Sequence, residues 1–245
     1  MAFDHVDIRV ADLAASARFY DTVFAVLGRE RTHAGDDWAE WDVWGVIPES
    51  AEQPAASGLH VAFWAESAAM VDAFWQAGVD AGFASDGEPG PRPQYRDDYY
   101  GAFLLDPDGN SAEAVHHGIP RESGQVDHLW IGVSDLAAAR AFYETIAPYA
   151  GLHVGREGDD RVQFRSERDS FMLVADGRPS TRNVHIAFEA PDRATIDAFH
   201  AAGVAAGYAD NGAPGLRPIY GPGYYGAFVL DPEGHNVELV IHETP

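Results

Sequence analysis

An internal repeat is the feature of this sequence that most limits its fold, because two copies of one segment build the same architecture twice. The segment FDHVDIRVADLAA, which begins at Phe3, recurs 123 residues later as VDHLWIGVSDLAA. The segment YYGAFLLDPDG, which begins at Tyr99, recurs 125 residues later as YYGAFVLDPEG. We therefore predict two copies of one domain, residues 1–118 and 126–245, joined by a linker over residues 119–125.

Each copy alternates helical and strand patterns. Asp12 and Asp135 stand where helix N-caps are expected, and the first helix keeps its apolar spacing until Gly28. The strand Leu59–Trp64 and its counterpart Val184–Phe188 each precede a second helix. The order strand, helix and short strands thus occurs four times, which predicts four βαβββ modules of the α+β class.

The chain is strongly acidic, with 39 Asp and Glu against 16 Lys and Arg and a formal net charge of -23. Such a charge repels nucleic-acid phosphates and anionic membrane surfaces, so we expect no nucleic-acid partner and no membrane partner. No cysteine is present, which excludes disulfides, thiolate nucleophiles and cysteine-held metals. The N-terminal segment lacks the pattern of a signal peptide, and we expect a cytoplasmic protein.

Strand alternation places six polar residues away from the apolar core face. Neighbouring side chains of a strand point to opposite faces. Around His128, for example, the apolar residues Leu129, Ile131 and Val133 share the other face. The same holds for every member of the set, which is His5, His60, Glu113, His128, His185 and Glu238.

The recurrence of two His and one Glu in register in both copies favours metal binding over a solvated surface role. Two neutral imidazoles and one carboxylate on the concave side of a curled sheet form a facial triad suited to Fe(II), Mn(II) or a similar ion. Curled mixed sheets that form metal-binding cups are therefore the expected architecture.

These residues resemble the vicinal-oxygen-chelate superfamily of glyoxalases, bleomycin-resistance and fosfomycin-resistance proteins and extradiol dioxygenases. The resemblance covers nearly the whole chain. It is carried by the opening Asp-His strand, the Phe-Tyr pair late in the first helix, and the closing motifs Leu105–Glu113 and Leu230–Glu238. It implies two domains of this fold in tandem, and it places the metal ligands of the family at the six positions named above.

The resemblance leaves the grouping of the six ligands open. A site of this fold forms either from two modules of one half or from one module of each half. The first arrangement groups His5 with His60 and Glu113, and leaves His128, His185 and Glu238 for the other ion. The second arrangement groups His5 with His185 and Glu238 instead.

The resemblance also implies a type of chemistry, in which a divalent metal ion binds adjacent oxygens of a small-molecule substrate as a Lewis acid. Our leading hypothesis is a metal-dependent enzyme that resembles an extradiol dioxygenase and uses Fe(II). A fosfomycin thiol transferase shares the ligand set, but this acidic sequence lacks the basic cluster of those enzymes.

Two other hypotheses remain. A glyoxalase-like isomerase or lyase with Mn, Ni or Zn is one, although the fourth, carboxylate ligand of glyoxalase I has no counterpart in Val46–Glu49 or Phe171–Val174. A drug- or metabolite-binding protein of the bleomycin-resistance type, without catalysis, is the other, and the retained ligand set argues against it. We expect a monomer, as an internal pseudo-dimer, or a homodimer.

A proline-rich loop before the last strands also recurs, and it keeps Arg92 and Tyr95 in register with Arg217 and Tyr220. These four residues are candidate catalytic residues that would orient an anionic or aromatic substrate beside the metal. The alternative is that each Arg pairs locally with an Asp while each Tyr packs its ring.

Two further matched pairs carry weaker expectations. Phe103 and Phe228 stand where enzymes of the resembled family commonly carry a substrate-contacting Tyr, about ten residues before the Glu. His117 and His242 match between the copies, and we expect them either to act as acid or base near the mouth of the cup or to have no role.

Overall fold

The computed structural model describes residues 3–35, 37–119, 121–122 and 124–243, with the side chain of Ala34 excepted. Pro120 and Ser123 of the predicted linker lie outside the described residues, as do the terminal residues 1–2 and 244–245 of the predicted domains. Within the described part of the chain, no helix has the length and apolar character needed to cross a membrane.

The chain forms two compact units. Unit 1 comprises residues 1–6 and 131–245, and unit 2 comprises residues 7–130. The chain therefore passes from one unit to the other within strand β1 (Phe3–Val10) and again within strand β9 (Val126–Gly132). The boundary at residues 119–125 was predicted from the sequence repeat, whereas the two units are defined by compactness. The predicted boundary therefore stays a prediction.

Unit 2 contains two helices and the strands of two sheets. It begins within β1 and ends within β9. The strand order is β1-β4-β3-β2 in one sheet and β9-β5-β8-β7-β6 in the other. The remaining elements are α1 (Leu13–Val26), β2 (His33–Ala34), β3 (Ala39–Trp41), β4 (Trp44–Pro48), β5 (Leu59–Trp64), α2 (Ala68–Asp80), β6 (Ser85–Pro91), β7 (Tyr100–Leu105) and β8 (Ser111–His116).

Unit 1 repeats this organisation. Its strand order is β14-β15-β16-β13-β1 in one sheet and β10-β11-β12-β9 in the other. Its elements are α3 (Leu136–Ala150), β10 (His153–Gly158), β11 (Arg161–Arg165), β12 (Ser170–Val174), β13 (Val184–Glu189), α4 (Arg193–Ala205), β14 (Ala209–Leu216), β15 (Tyr224–Leu230) and β16 (Asn236–His242). The sheets are mixed, since β13 pairs with β16 in parallel and β15 pairs with β16 antiparallel. The predicted α+β class with mixed sheets is confirmed.

The predicted helix caps are also confirmed. The Asp12 carboxylate accepts a hydrogen bond from the backbone N–H of Ala15, and Asp135 accepts one from Ala138. These bonds satisfy N–H groups that the first turn of a helix leaves without a partner.

One buried contact in each unit joins two of the motifs that carry the family resemblance, the Phe-Tyr pair and the closing motif. Tyr20 is fully buried on α1, and its hydroxyl donates to Asp106 of the closing motif at 3.1 Å. Tyr143 and Asp231 form the same pair in unit 1 at 3.2 Å. A buried Tyr needs a hydrogen-bond partner for its hydroxyl, so this pair anchors the first helix to the turn before each Glu-bearing strand.

Candidate metal centres

Unit 1 brings His5, His185 and Glu238 together, and we refer to these three residues as site 1. The Nε2 atoms of His5 and His185 lie 3.1 Å apart. The Oε2 atom of Glu238 lies 3.1 Å from Nε2 of His185 and 3.8 Å from Nε2 of His5. Three ligand-type atoms therefore converge on one point.

Unit 2 brings His60, Glu113 and His128 together in the same way, and we refer to them as site 2. The Oε2 atom of Glu113 lies 3.0 Å from Nε2 of His60 and 3.6 Å from Nε2 of His128. One ligand atom from each of the three residues lies within 4.8 Å of the others.

These separations fit a shared divalent ion. Two ligand atoms held about 2.1 Å from one ion lie about 3.0 Å apart at a right angle and about 3.4 Å apart at a tetrahedral angle. The measured separations of 3.0 to 3.8 Å span those values. The donor set of two imidazoles and one carboxylate is the set expected for Fe(II), Mn(II) or Zn(II).

Parallel strand pairing explains how the second His and the Glu of each site meet. On β13 and β16, His185 is opposite Asn236, and Ala187 is opposite Glu238. His185 and Glu238 therefore stand two positions apart in register and share one face of the sheet. His60 and Glu113 have the same relation on β5 and β8.

A side-chain partner at Nδ1 directs Nε2 of each His toward its site. Nδ1 of His5 donates to Asp4 at 2.7 Å, and Nδ1 of His128 donates to Asp127 at 2.8 Å. Nδ1 of His60 donates to the hydroxyl of Ser111 at 3.1 Å. Partners of this kind fix the tautomer and ring orientation of a metal-binding His.

His185 has an amide at the same place, since Asn236 lies 2.6 Å from its Nδ1. The atom of Asn236 that faces the ring is the amide nitrogen Nδ2. The amide oxygen of Asn236 points away from His185 and accepts from Nδ2 of Asn211 at 2.9 Å.

Each Glu is buried and is held by a Tyr. Glu113 and Glu238 are both 1% exposed. The hydroxyl of Tyr99 donates to Oε1 of Glu113 at 2.7 Å, and the hydroxyl of Tyr224 donates to Oε1 of Glu238 at 2.8 Å. Oε1 is thus occupied by the Tyr, and Oε2 is the oxygen that faces the His pair.

Glycine makes room for each of these Glu carboxylates. A Cβ atom at Gly101 would lie 2.4 Å from Oε1 of Glu113, and one at Gly226 would lie 2.3 Å from Oε1 of Glu238. Both distances are far inside ordinary contact. Any larger residue at these positions would displace the carboxylate.

The electrostatics of site 2 depend on burial and on short charged contacts. Burial raises the pKa of Asp127, but hydrogen bonds from His117 and His128 outweigh it and hold that pKa well below the usual range. Burial lowers the pKa of His128, whereas the bond to Asp127 and the charge of Glu113 raise it to a net value above the usual one. Burial raises the pKa of Tyr99 well above the usual value, so Tyr99 stays protonated and donates to Glu113.

The structure forms the second of the two arrangements that the sequence left open. His5 joins His185 and Glu238 of the second repeat, and His128 joins His60 and Glu113 of the first. The chain achieves this because the opening strand of each repeat contributes its His to the unit built mainly from the other repeat. Neither site is made from one sequence half.

The four candidate catalytic residues lie one layer away from the ligands. Tyr95 packs against Tyr99, with ring centres 5.2 Å apart, and Tyr220 packs against Tyr224 at 5.1 Å. Tyr220 is 61% exposed. The rings of both candidates therefore contact the tyrosines that hold the Glu ligands.

Among the described residues, each Arg of the recurring loop is held by a backbone carbonyl and an aromatic ring, and neither Arg is paired with an Asp. Arg92 donates to the carbonyl of Glu88 at 2.6 Å and lies over the ring of Phe103 at 5.4 Å. Arg217 donates to the carbonyl of Ala213 at 2.6 Å and lies over Phe228 at 5.4 Å. Phe103 lies beside His60, with ring centres 5.8 Å apart, so Arg92 supports the wall of site 2.

The residues that orient the ligands are not predicted by the sequence pattern. Tyr99 and Tyr224 were visible in the repeat as the first Tyr of each YYGAF segment, but strand alternation alone does not give their distance from the Glu. Asp4 and Asp127 precede a His ligand in both copies. Alternation assigns such residues to the face opposite the ligand, so it does not predict their bonds to His5 and His128.

A family profile described as Glyoxalase/Bleomycin resistance protein/Dioxygenase superfamily matches residues 2–114 and again residues 125–239. No curated protein gives a significant match to this sequence.

Solved structures share the fold at low sequence identity. Glyoxalase I from Zea mays is 19% identical with a TM-score of 0.71, over 98% of this chain and 92% of its own. A provisionally named dioxygenase from Bacillus subtilis is 14% identical with a TM-score of 0.71, over 100% of this chain and 86% of its own. At these identities the likeness concerns the fold alone.

Proposed function

Because the chain belongs to the Glyoxalase/Bleomycin resistance protein/Dioxygenase superfamily, we propose that it is a divalent-metal-dependent enzyme that acts on a small oxygen-bearing organic molecule. The reaction we propose is ring cleavage of the extradiol dioxygenase type, with Fe(II) as the metal. The observation that carries the proposal is the convergence of two His Nε2 atoms and one Glu Oε2 atom, at 3.0 to 3.8 Å, in each of the two units.

In this proposal His5, His185 and Glu238 hold one ion, and His60, Glu113 and His128 hold the other. A bound ion supplies Lewis-acid polarisation of two adjacent substrate oxygens. The protein contributes three ligands to each ion, so further coordination positions are left to small molecules.

The surrounding residues hold the ligands in one geometry before any substrate arrives. Tyr99 fixes Oε1 of Glu113, so this carboxylate presents a single oxygen to the site. Phe103 covers one side of His60, and Trp130 lies edge-on to the same ring at 6.4 Å. An aromatic wall of this kind excludes water and suits a planar apolar substrate.

We propose that Tyr95 and Tyr220 contact the substrate and that Arg92 and Arg217 support the wall. The rings of Tyr95 and Tyr220 are 39% and 61% exposed, and each packs against the tyrosine that holds the Glu ligand of its site. The Arg residues act through the rings of Phe103 and Phe228 rather than on the substrate. Phenylalanine at Tyr95 and Tyr220 is therefore expected to raise KM more than it lowers kcat.

The first test is metal content. Protein purified without chelator is expected to hold about two equivalents of divalent metal, and His60→Ala and His185→Ala are each expected to hold about one. His153→Ala is the matched control, because His153 is exposed on β10 and belongs to neither site. Its metal content should equal that of the unaltered protein.

The second test separates the reaction classes. Protein loaded with Fe(II) without oxygen is mixed with a panel of catechols, and oxygen uptake and the absorbance of ring-opened product are followed. Turnover that needs oxygen supports the dioxygenase proposal. Metal-dependent turnover without oxygen would replace it with an isomerase or lyase, and a folded chain that cannot be loaded with metal would leave a ligand-binding protein.

A further inference from the structure

Two buried or half-buried carboxylates connect the metal centres to a second pair of histidines. Asp127 is 5% exposed, and its Oδ2 accepts from Nδ1 of His128 at 2.8 Å. Its Oδ1 accepts from Nε2 of His117 at 3.0 Å and also from Nε of Arg121. One carboxylate therefore receives three donors, and only one of them belongs to a metal ligand.

Unit 1 contains the same chain of contacts. Asp4 accepts from Nδ1 of His5 at 2.7 Å through Oδ1, and from Nε2 of His242 at 3.0 Å through Oδ2. His242 occupies the repeat position of His117. Each opening His is thus the first member of a His–Asp–His chain that starts at the metal centre and runs outward.

The outer His of unit 2 is fixed by contacts on both ring nitrogens. Nδ1 of His117 accepts from the backbone N–H of Ile119 at 3.3 Å, which leaves Nε2 to donate to Asp127. The His117 side chain is 5% exposed. This His is therefore held in one orientation, in which Nε2 donates to Asp127.

We propose that Asp127 and Asp4 are positioning residues, which hold His128 and His5 with Nε2 directed at the metal, and that His117 and His242 complete this support. The inference rests on the proposed function, because it assigns a role toward the metal of each site. A carboxylate at Nδ1 keeps the proton on that nitrogen, so the lone pair of Nε2 is free for a metal ion. Loss of such a partner lowers metal affinity by about 10- to 100-fold in metal sites of this kind.

The two His–Asp–His chains differ in the number of other donors that hold the central Asp. Asp127 keeps Arg121 as a further donor when His117 is removed. Among the described residues, the side chain of Asp4 is bonded to the side chains of His5 and His242, and the side chain of His242 is 56% exposed. Removal of His242 is therefore expected to loosen site 1 more than removal of His117 loosens site 2.

The test measures the metal affinity of one site at a time. His185→Ala leaves site 2 as the only complete set, and His60→Ala leaves site 1. In the His185→Ala background, Asp127→Asn is titrated with Co(II), whose visible absorbance reports coordination geometry, and the Co(II) dissociation constant is measured by chelator competition. Asp4→Asn is measured in the His60→Ala background. We expect a 10- to 100-fold weaker affinity and an altered spectrum, with recovery in Asp127→Glu.

Asp106→Asn is the control for a general loss of packing. Asp106 is 4% exposed in the same unit and accepts from Tyr20, but it is not bonded to a metal ligand. Its loss is expected to lower the unfolding midpoint while the Co(II) spectrum stays unchanged. Circular dichroism verifies that each variant is folded.

The outcomes separate the two proposals. If the His185→Ala protein takes up no Co(II), the proposed function fails and the positioning role fails with it. If that protein binds Co(II) and Asp127→Asn binds it equally well with the same spectrum, only the positioning role is overturned. An equal loss of affinity in Asp127→Asn and Asp106→Asn would also overturn it, because the effect would then be one of packing.

Discussion

Replacement of Gly226 by Ala should remove the metal from site 1 without unfolding the protein. A Cβ atom at this position would lie 2.3 Å from Oε1 of Glu238, whereas ordinary contact begins near 3.4 Å. The oxygen would have to move by about 1.1 Å. Metal–ligand bonds tolerate about 0.2 Å, so the Glu238 carboxylate would leave the coordination sphere and its bond with Tyr224.

The expected magnitude follows from the loss of one of three ligands. Loss of an outer partner alone weakens a metal site by about 10- to 100-fold, so the loss of a direct ligand is expected to exceed about 100-fold, or about 2.7 kcal/mol. Gly226 is not among the glycines with positive φ, so Ala is compatible with its backbone. The far-ultraviolet circular dichroism spectrum should therefore be unchanged.

The assay is Co(II) titration with chelator competition in the His60→Ala background, where only site 1 is complete. Gly101→Ala in the His185→Ala background is the matched experiment on site 2, since its Cβ would lie 2.4 Å from Glu113. Gly158→Ala is the control, because its Cβ would lie 3.4 Å from its nearest neighbour. A folded Gly226→Ala protein with an affinity within about twofold of its parent would refute the assignment of Glu238 as a ligand.

Three other predictions concern single side chains. His235 is fully buried, and its Nε2 has no hydrogen-bond partner among the described residues. His235→Asn introduces the residue of the matching position, Asn110, and should raise the free energy of unfolding, measured by urea denaturation, by about 1 kcal/mol. The reverse change at the other position, Asn110→His, should lower the free energy of unfolding. Burial lowers the pKa of His235 from its ordinary value of 6.5, so below that pH the unfolded chain binds more protons than the folded chain. The melting temperature should therefore fall as the pH drops below about 6.5. In His235→Asn the melting temperature should depend less on pH in this range. Tyr224→Phe removes the hydroxyl that donates to Glu238 and should weaken Co(II) binding at site 1 by about 10-fold, whereas Tyr225→Phe, whose hydroxyl donates to a surface Asp, should leave it unchanged.

The repeat and the alternation of apolar residues were sufficient to predict the fold and the faces of its strands. Asp12 and Asp135 cap the first helices as their sequence positions indicate. Leu59–Trp64 is a strand with the predicted bounds. These features depend on local periodicity and local hydrogen bonds, and a single sequence contains both.

The grouping of the ligands could not be predicted, because the sequence is symmetric in that respect. Both repeats carry a His on the opening strand. Either of these two His residues could therefore complete a site with the second His and the Glu of either copy. Only the path of the chain decides between them, and this path depends on which sheet each opening strand joins. Long-range strand pairing of this kind leaves no local signal.

The roles of His117 and His242 show a second limit. Their position on the Glu-bearing strand suggested acid–base chemistry or no role, whereas the structure places them against Asp127 and Asp4. A residue that acts through another side chain has no pattern of its own in one sequence. Its function becomes visible only when the distances are known.

The exchange of opening strands has a consequence for how the two centres can evolve. A pair of identical chains would receive every mutation in both centres at once, so such centres would remain copies of each other. In this chain each repeat is encoded separately, so a substitution in one centre leaves the matching residue of the other centre unchanged. Trp130, which lies beside His60, already has Asp7 as its counterpart in the first repeat. Fusion therefore lets one centre be kept under selection while the other acquires a different preference.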